Sequence, residues 1–64
     1  MNNLQHYREQ AGLTQSELAR KTGIDQSKIS KTEAGGSDLR GQHWKLIAEV
    51  LDVSLDKLLG IRKV

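Results

Sequence analysis

Four residues, Thr14, Glu17, Gly23 and Asp25, punctuate this chain in a way that few folds accommodate. Thr14 and Glu17 have the Ser/Thr-x-x-Glu spacing of a capping box. In that arrangement the hydroxyl accepts from the backbone N–H three residues on and the carboxylate reaches back to the first N–H, so a helix starts here. Leu18 and Ala19 then point inward. Gly23 stands where a left-handed residue ends a helix, a conformation glycine enters without a Cβ clash. Only two residues later Asp25 can cap a further helix, which runs to about Ala34 and stops at Gly35-Gly36. Two short helices joined by so tight a turn cross at a steep angle rather than lying antiparallel. The spacing is that of a helix-turn-helix.

The rest of the chain predicts more helix. No Pro occurs, and no run shows sustained period-two alternation with β-branched enrichment, so a sheet has little support. Asn3 can cap a first helix that places Leu4, Tyr7, Arg8 and Ala11 on one face, with Gly12 closing it. GGSDLRGQ is a polar, glycine-rich loop with Leu39 tucked beneath it. Trp44, Ile47, Ala48 and Leu51 then form an amphipathic stripe, and Ser54 caps a last short helix, SLDKLLG. The expected fold is all-α: a compact bundle of about five short helices around a central helix-turn-helix, residues 1–64 forming a single domain and 61–64 a short tail.

The size of that bundle excludes much. A domain of 64 residues buries only about 60% of the surface its unfolded chain exposes, which leaves little room for a catalytic cleft. There is no Cys, hence no disulfide and no thiolate metal site. No apolar run approaches the roughly 20 residues of a membrane span, and the start lacks the basic-then-apolar order of a signal peptide. The expectation is a soluble, cytoplasmic protein without cofactor. His6 and His43 have no ligand-spaced companions, so no metal is expected, and neither a nucleophile elbow nor a phosphate loop is present.

The net charge is +2, and its distribution matters more than its size. Between Thr14 and Thr32, Arg20, Lys21, Lys28 and Lys31 outnumber Glu17 and Asp25, whereas His43 to Ile61 is net negative. On a helical wheel of Asp25 to Ala34, Ile29 marks the inward direction with Thr32 and Glu33 beside it. Ser27, Ser30 and Lys31 project the opposite way, Lys28 lies to one side and Gln26 sits at the amino end. Short hydrogen-bonding groups and cations suit base edges: a Gln amide meets adenine N6 and N7, a Lys donates to guanine O6 and N7, and a Ser hydroxyl adapts to either. Composition alone favours an ordinary solvated helix face. The tight turn, the caps and the basic excess together favour a DNA-reading one.

The run GLTQSELARKTGIDQSKISKTEAG, Gly12 to Gly35, resembles the helix-turn-helix of the lambda-repressor and Cro family, also called the xenobiotic-response-element family, and LIAEVLDVSLDKLL, Leu46 to Leu59, resembles the end of the same domain. The resemblance implies that Asp25 to Ala34 is the recognition helix and that Gln26, Ser27 and Lys31 face bases in the major groove. It further implies that Gln15 contacts a phosphate and braces Gln26, that Lys28 and Ser30 make secondary contacts, and that Arg8 and Glu33 form an internal salt bridge of structural role. The loop departs from the family in lacking its common Pro and in carrying an anion, Asp38, where phosphates would approach; Arg40 can compensate, and the loop contacts expected are Ser37 and Arg40. Thr32 stands where the family often has an aliphatic residue.

The expected function is therefore that of a transcriptional regulator without enzymatic activity, most similar to a compact phage Cro or short repressor. A lone recognition helix reads only a few base pairs, and dimers of such domains bind half-sites about one helical turn apart. A homodimer on a double-stranded operator is expected, its interface near the last helix and tail. The alternative is an antitoxin-like or adaptor protein whose leucine-rich last helix binds a partner such as a toxin.

Overall fold

The computed structural model describes residues 2–36 and 39–60. The capping signals fall where helices begin. Thr14 Oγ1 accepts from the Glu17 N–H at 3.1 Å and the Glu17 carboxylate accepts from the Thr14 N–H at 2.9 Å, closing the expected box at the start of α2, Gln15–Thr22. Gly23 ends that helix at φ 74°, its N–H donating to the Ala19 carbonyl. One residue of loop, Ile24, is turned inward and buried before α3, Gln26–Glu33, begins. The C-terminus of α3 closes with Gly35 at φ 109° and two bonds that turn the chain back, Gly35 N–H to the Thr32 carbonyl and Gly36 N–H to that of Lys31.

The other elements are α1, Leu4–Gln10, α4, Gly41–Leu51, and α5, Leu55–Leu59, so the five expected helices are present in order. Each contributes to one core: Leu4 from α1, Leu18 from α2, Ile29 and Thr32 from α3, Ile47 and Leu51 from α4 and Leu58 from α5, with Ile24 and Leu39 from the connections. Leu39 is buried, as its isolation among polar residues suggests. Trp44 is half-buried against the rim of the core rather than at its centre, and Ala11, expected on the inner face of α1, is an exposed C-cap.

Two caps differ from expectation. The Asn3 side chain does not cap α1. The neighbouring Asn2 carboxamide accepts from the Leu4 N–H at 3.0 Å, while Asn3 turns to α5, donating from Nδ2 to the Lys57 carbonyl and from its backbone N–H to that of Leu58, both at 2.8 Å. A short α5 ends in carbonyls without helical partners, and Asn3 supplies donors to them. Asp25 holds the N-cap position of α3 through its backbone, without a side-chain cap bond. Ser54 caps α5 as expected, accepting from the Lys57 N–H.

Candidate nucleic-acid interface

Helix α3 is divided sharply by burial. Ile29 and Thr32 are fully buried, whereas Gln26, Ser27, Lys28, Ser30 and Lys31 are all exposed. Thr32 fits its buried site because its hydroxyl donates to the Lys28 carbonyl at 2.8 Å, a local bond that leaves no unsatisfied group. All five exposed residues are those expected at or beside the DNA, and they occupy one continuous outer face.

What holds that face in place is a network at the opposite end of the helix. Arg8 of α1 donates from Nε to Glu33 Oε2 at 2.6 Å and from Nη2 to Glu33 Oε1 at 3.2 Å, while its Nη1 donates to the Leu13 carbonyl at 2.7 Å. The two side chains are 10% and 5% exposed, so this is a buried, two-pronged pair of the kind whose geometry suits Arg and not Lys. The bond to Glu33 raises the Arg8 guanidinium above its already high ordinary value, against the opposing effect of burial. The salt bridge that the family resemblance implied for Arg8 and Glu33, and with which their helical phases agree, is thus present. It joins α1, the α1–α2 connection and α3. Asn2 adds a tie from the chain start, its Nδ2 donating to the Thr32 carbonyl at 2.9 Å.

Among the described residues, Gln15 has surroundings that differ from the expectation. Its amide donates to Glu33 Oε1 at 2.9 Å, and Gln26 is instead bonded by Ser16, whose Oγ donates to Gln26 Oε1 at 3.2 Å. The reason is electrostatic: the Glu33 carboxylate is the stronger acceptor within reach, and a hydrogen bond to a charged group outweighs one to a neutral amide. Sequence reasoning missed Ser16 and Asn2. The signal for Ser16 was its place one residue inside the start of α2, close to the start of the next helix across a tight turn. Nothing in the sequence pointed Asn2 at Thr32.

Arg40 is exposed at the N-cap of α4, where its backbone N–H lies 3.4 Å from His43 Nδ1. Ser37 and Asp38 lie outside the described residues. The other histidine, His6, packs edge-on against Tyr7 with ring centroids 5.0 Å apart. Among the described residues no group of three or more His, Cys, Asp or Glu could hold a metal ion, and no helix is long and apolar enough to cross a membrane.

Five helices among the described residues, a two-helix unit joined across a left-handed Gly and an outer polar face on its second helix define a helix-turn-helix architecture. The sequence model of the helix-turn-helix family matches residues 4–58, and the chain belongs to that family. The fold is similar to the solution structure of the N-terminal DNA-binding domain of the master biofilm-regulator SinR from Bacillus subtilis, with a TM-score of 0.76 and 34% identity over 89% of this chain and 84% of that one. No curated protein sequence matches the chain. It is a DNA-binding transcription regulator of the lambda-repressor and Cro type, without enzymatic activity.

Proposed function

We propose that the chain is a sequence-specific, Cro-like repressor of phage or prokaryotic type that inserts α3 into the major groove of a double-stranded operator. Gln26, Ser27 and Lys31 read base edges there. Lys28 and Ser30 make secondary contacts, and Ser37 and Arg40 of the loop reach phosphates. Gln15, at the start of α2, binds a phosphate where free N–H groups and the helix dipole favour an anion. Residues 1–64 work as one DNA-binding unit in the cytoplasm, and two copies bind a pseudo-palindromic site through α5 and the tail. Affinity comes largely from salt-sensitive phosphate contacts and the choice of sequence from α3. Repression then follows from occupancy: a chain bound across a promoter excludes polymerase without any chemistry.

The observation that carries this reading is the outer face of α3. Five exposed residues without a large apolar group among them sit on a helix whose inner face is anchored by Ile29, Thr32 and the Arg8–Glu33 pair. A helix held so firmly can present side chains to a groove at low ordering cost.

The test is a set of single variants measured against a selected operator and a random duplex. Gln26→Ala and Lys31→Ala should each lose about 1–3 kcal/mol of discrimination at one base position. Gln15→Ala should weaken both duplexes alike. Equal losses on both duplexes for Lys31→Ala would remove Lys31 from the base-reading set. Light scattering should give two chains per operator; one chain per duplex would reject the dimer and leave monomeric reading.

A further inference from the structure

We infer that Ser16 is a positioning residue for base readout, its hydroxyl holding the Gln26 carboxamide as a planar fork that suits adenine. The inference rests on the reading of α3 as the base-reading helix and names how one of its side chains is prepared.

Gln26 is exposed at the first position of α3. A free Gln there samples many rotamers, and a base contact must first select one. Ser16 removes much of that freedom. Its Oγ donates to Gln26 Oε1 at 3.2 Å, and its own side chain is short, with a single rotatable bond to settle. It stands on the second residue of α2, whose start is fixed by the Thr14–Glu17 capping box. The support is therefore as rigid as the helix that carries it.

Once one acceptor position of Oε1 is taken by Ser16, its other lone pair and both Nε2 hydrogens remain for a partner. Adenine offers N6–H as donor and N7 as acceptor in the major groove, which one amide plane meets together. Guanine presents two acceptors and sets O6 against the amide oxygen. A hydroxyl accepts as well as donates, so Ser16 holds the plane whichever way the amide is turned. Gln15, the other candidate for this task, is already committed to Glu33.

The test is competition binding by fluorescence anisotropy, using the whole chain, its selected operator and duplexes changed at one position at a time. Parent, Ser16→Ala, Ser16→Thr, Gln26→Ala and the double variant Ser16→Ala/Gln26→Ala are compared. At 3.2 Å the bond is long for a hydroxyl donor, so Ser16→Ala should reduce discrimination by roughly 2- to 5-fold. The loss should fall at the adenine that Gln26→Ala also affects, with affinity for random duplex unchanged. Ser16→Thr keeps the hydroxyl and should retain the parent's discrimination, and the double variant should be no worse than Gln26→Ala alone. Additive losses, an equal loss on random duplex, or parental discrimination in Ser16→Ala would overturn the positioning role while leaving Gln26 as a reader. If Gln26→Ala itself had no position-specific effect, the reading of α3 at this residue would fail, and the inference with it.

Discussion

Replacing Arg8 by methionine removes the cation at the centre of the buried charged network. The perturbation is specific: Glu33 loses two bonds, at 2.6 and 3.2 Å, the Leu13 carbonyl loses its 2.7 Å donor, and Glu33, 5% exposed, keeps the neutral donor Gln15. Stranding one charge of a buried pair costs about 3–5 kcal/mol. In a domain this small each kcal/mol moves the melting midpoint by about 4–8 °C, so Arg8→Met should lower it by about 12–40 °C. A core of this size supplies only about 3–5 kcal/mol in all, so the variant should be largely unfolded at room temperature. Glu33→Met should cost less, because the Arg8 stem can lift its head towards water and still bond the Leu13 carbonyl. The double variant Arg8→Met/Glu33→Met should recover most of the loss, since neither charge is then left alone. Urea titrations followed by circular dichroism, all run in the same concentration of a stabilising osmolyte such as TMAO so that Arg8→Met keeps a folded baseline, give the four free energies of this cycle. A loss below about 1 kcal/mol for Arg8→Met, the range of exposed ion pairs, would refute the reasoning; so would a double variant no more stable than Arg8→Met.

Three further outcomes are expected. The Glu17 carboxyl is held below the ordinary carboxylate range, chiefly by the Thr14 backbone N–H with the Thr14 hydroxyl assisting. A depressed carboxylate contributes stability that is present above its unfolded pKa and lost as the pH falls through the folded one. Glu17→Gln keeps an acceptor without the titration, so the melting difference between parent and variant at pH 7 should shrink at pH 3, and an unchanged difference would contradict the assignment. Asp52 is a non-glycine residue in the left-handed region, at φ 56°, and its carboxylate sits at the negative end of α4; Asp52→Asn should keep the turn and add about 0.3–1 kcal/mol at low salt, a gain that high salt abolishes. Gly23, at φ 74° with no atom beyond its chain neighbours within 4 Å of where a Cβ would stand among the described residues, should accept Ala sterically yet lose about 1–2 kcal/mol to the backbone alone, measurable by the same urea titrations.

How much of this was legible in the sequence differs between backbone and side chains. The capping box at Thr14, the left-handed Gly23 and the stripe on α4 are local signals, each fixed within a few residues, and the structure bears them out. The Arg8–Glu33 pair joins residues 25 apart in the chain, yet both helical phases pointed inward and a family resemblance supplied the pairing. What could not be read were choices among competing polar partners. Gln15 takes Glu33 rather than Gln26 because a carboxylate is close enough to win, and that proximity is a product of the folded arrangement. Asn2 and Asn3 are adjacent amides with the same local preferences, and only the position of α5 decides which one caps α1 and which one clasps Lys57 and Leu58. The exposed face of α3 was legible as a surface; its base contacts are a matter for DNA.

The measurement that bears most directly on the central claim is selection of duplexes from a randomised pool at two salt concentrations, with sequencing of the bound fraction. A repressor reading DNA through α3 should enrich a two-fold symmetric motif with half-sites about one helical turn apart, and its affinity should fall steeply as salt rises. Gln26→Ala should erase the preference at one position of that motif. Binding without enrichment of any motif would contradict sequence-specific readout, and failure to bind any duplex at low salt would turn attention to a protein partner at the leucine-rich end of the chain.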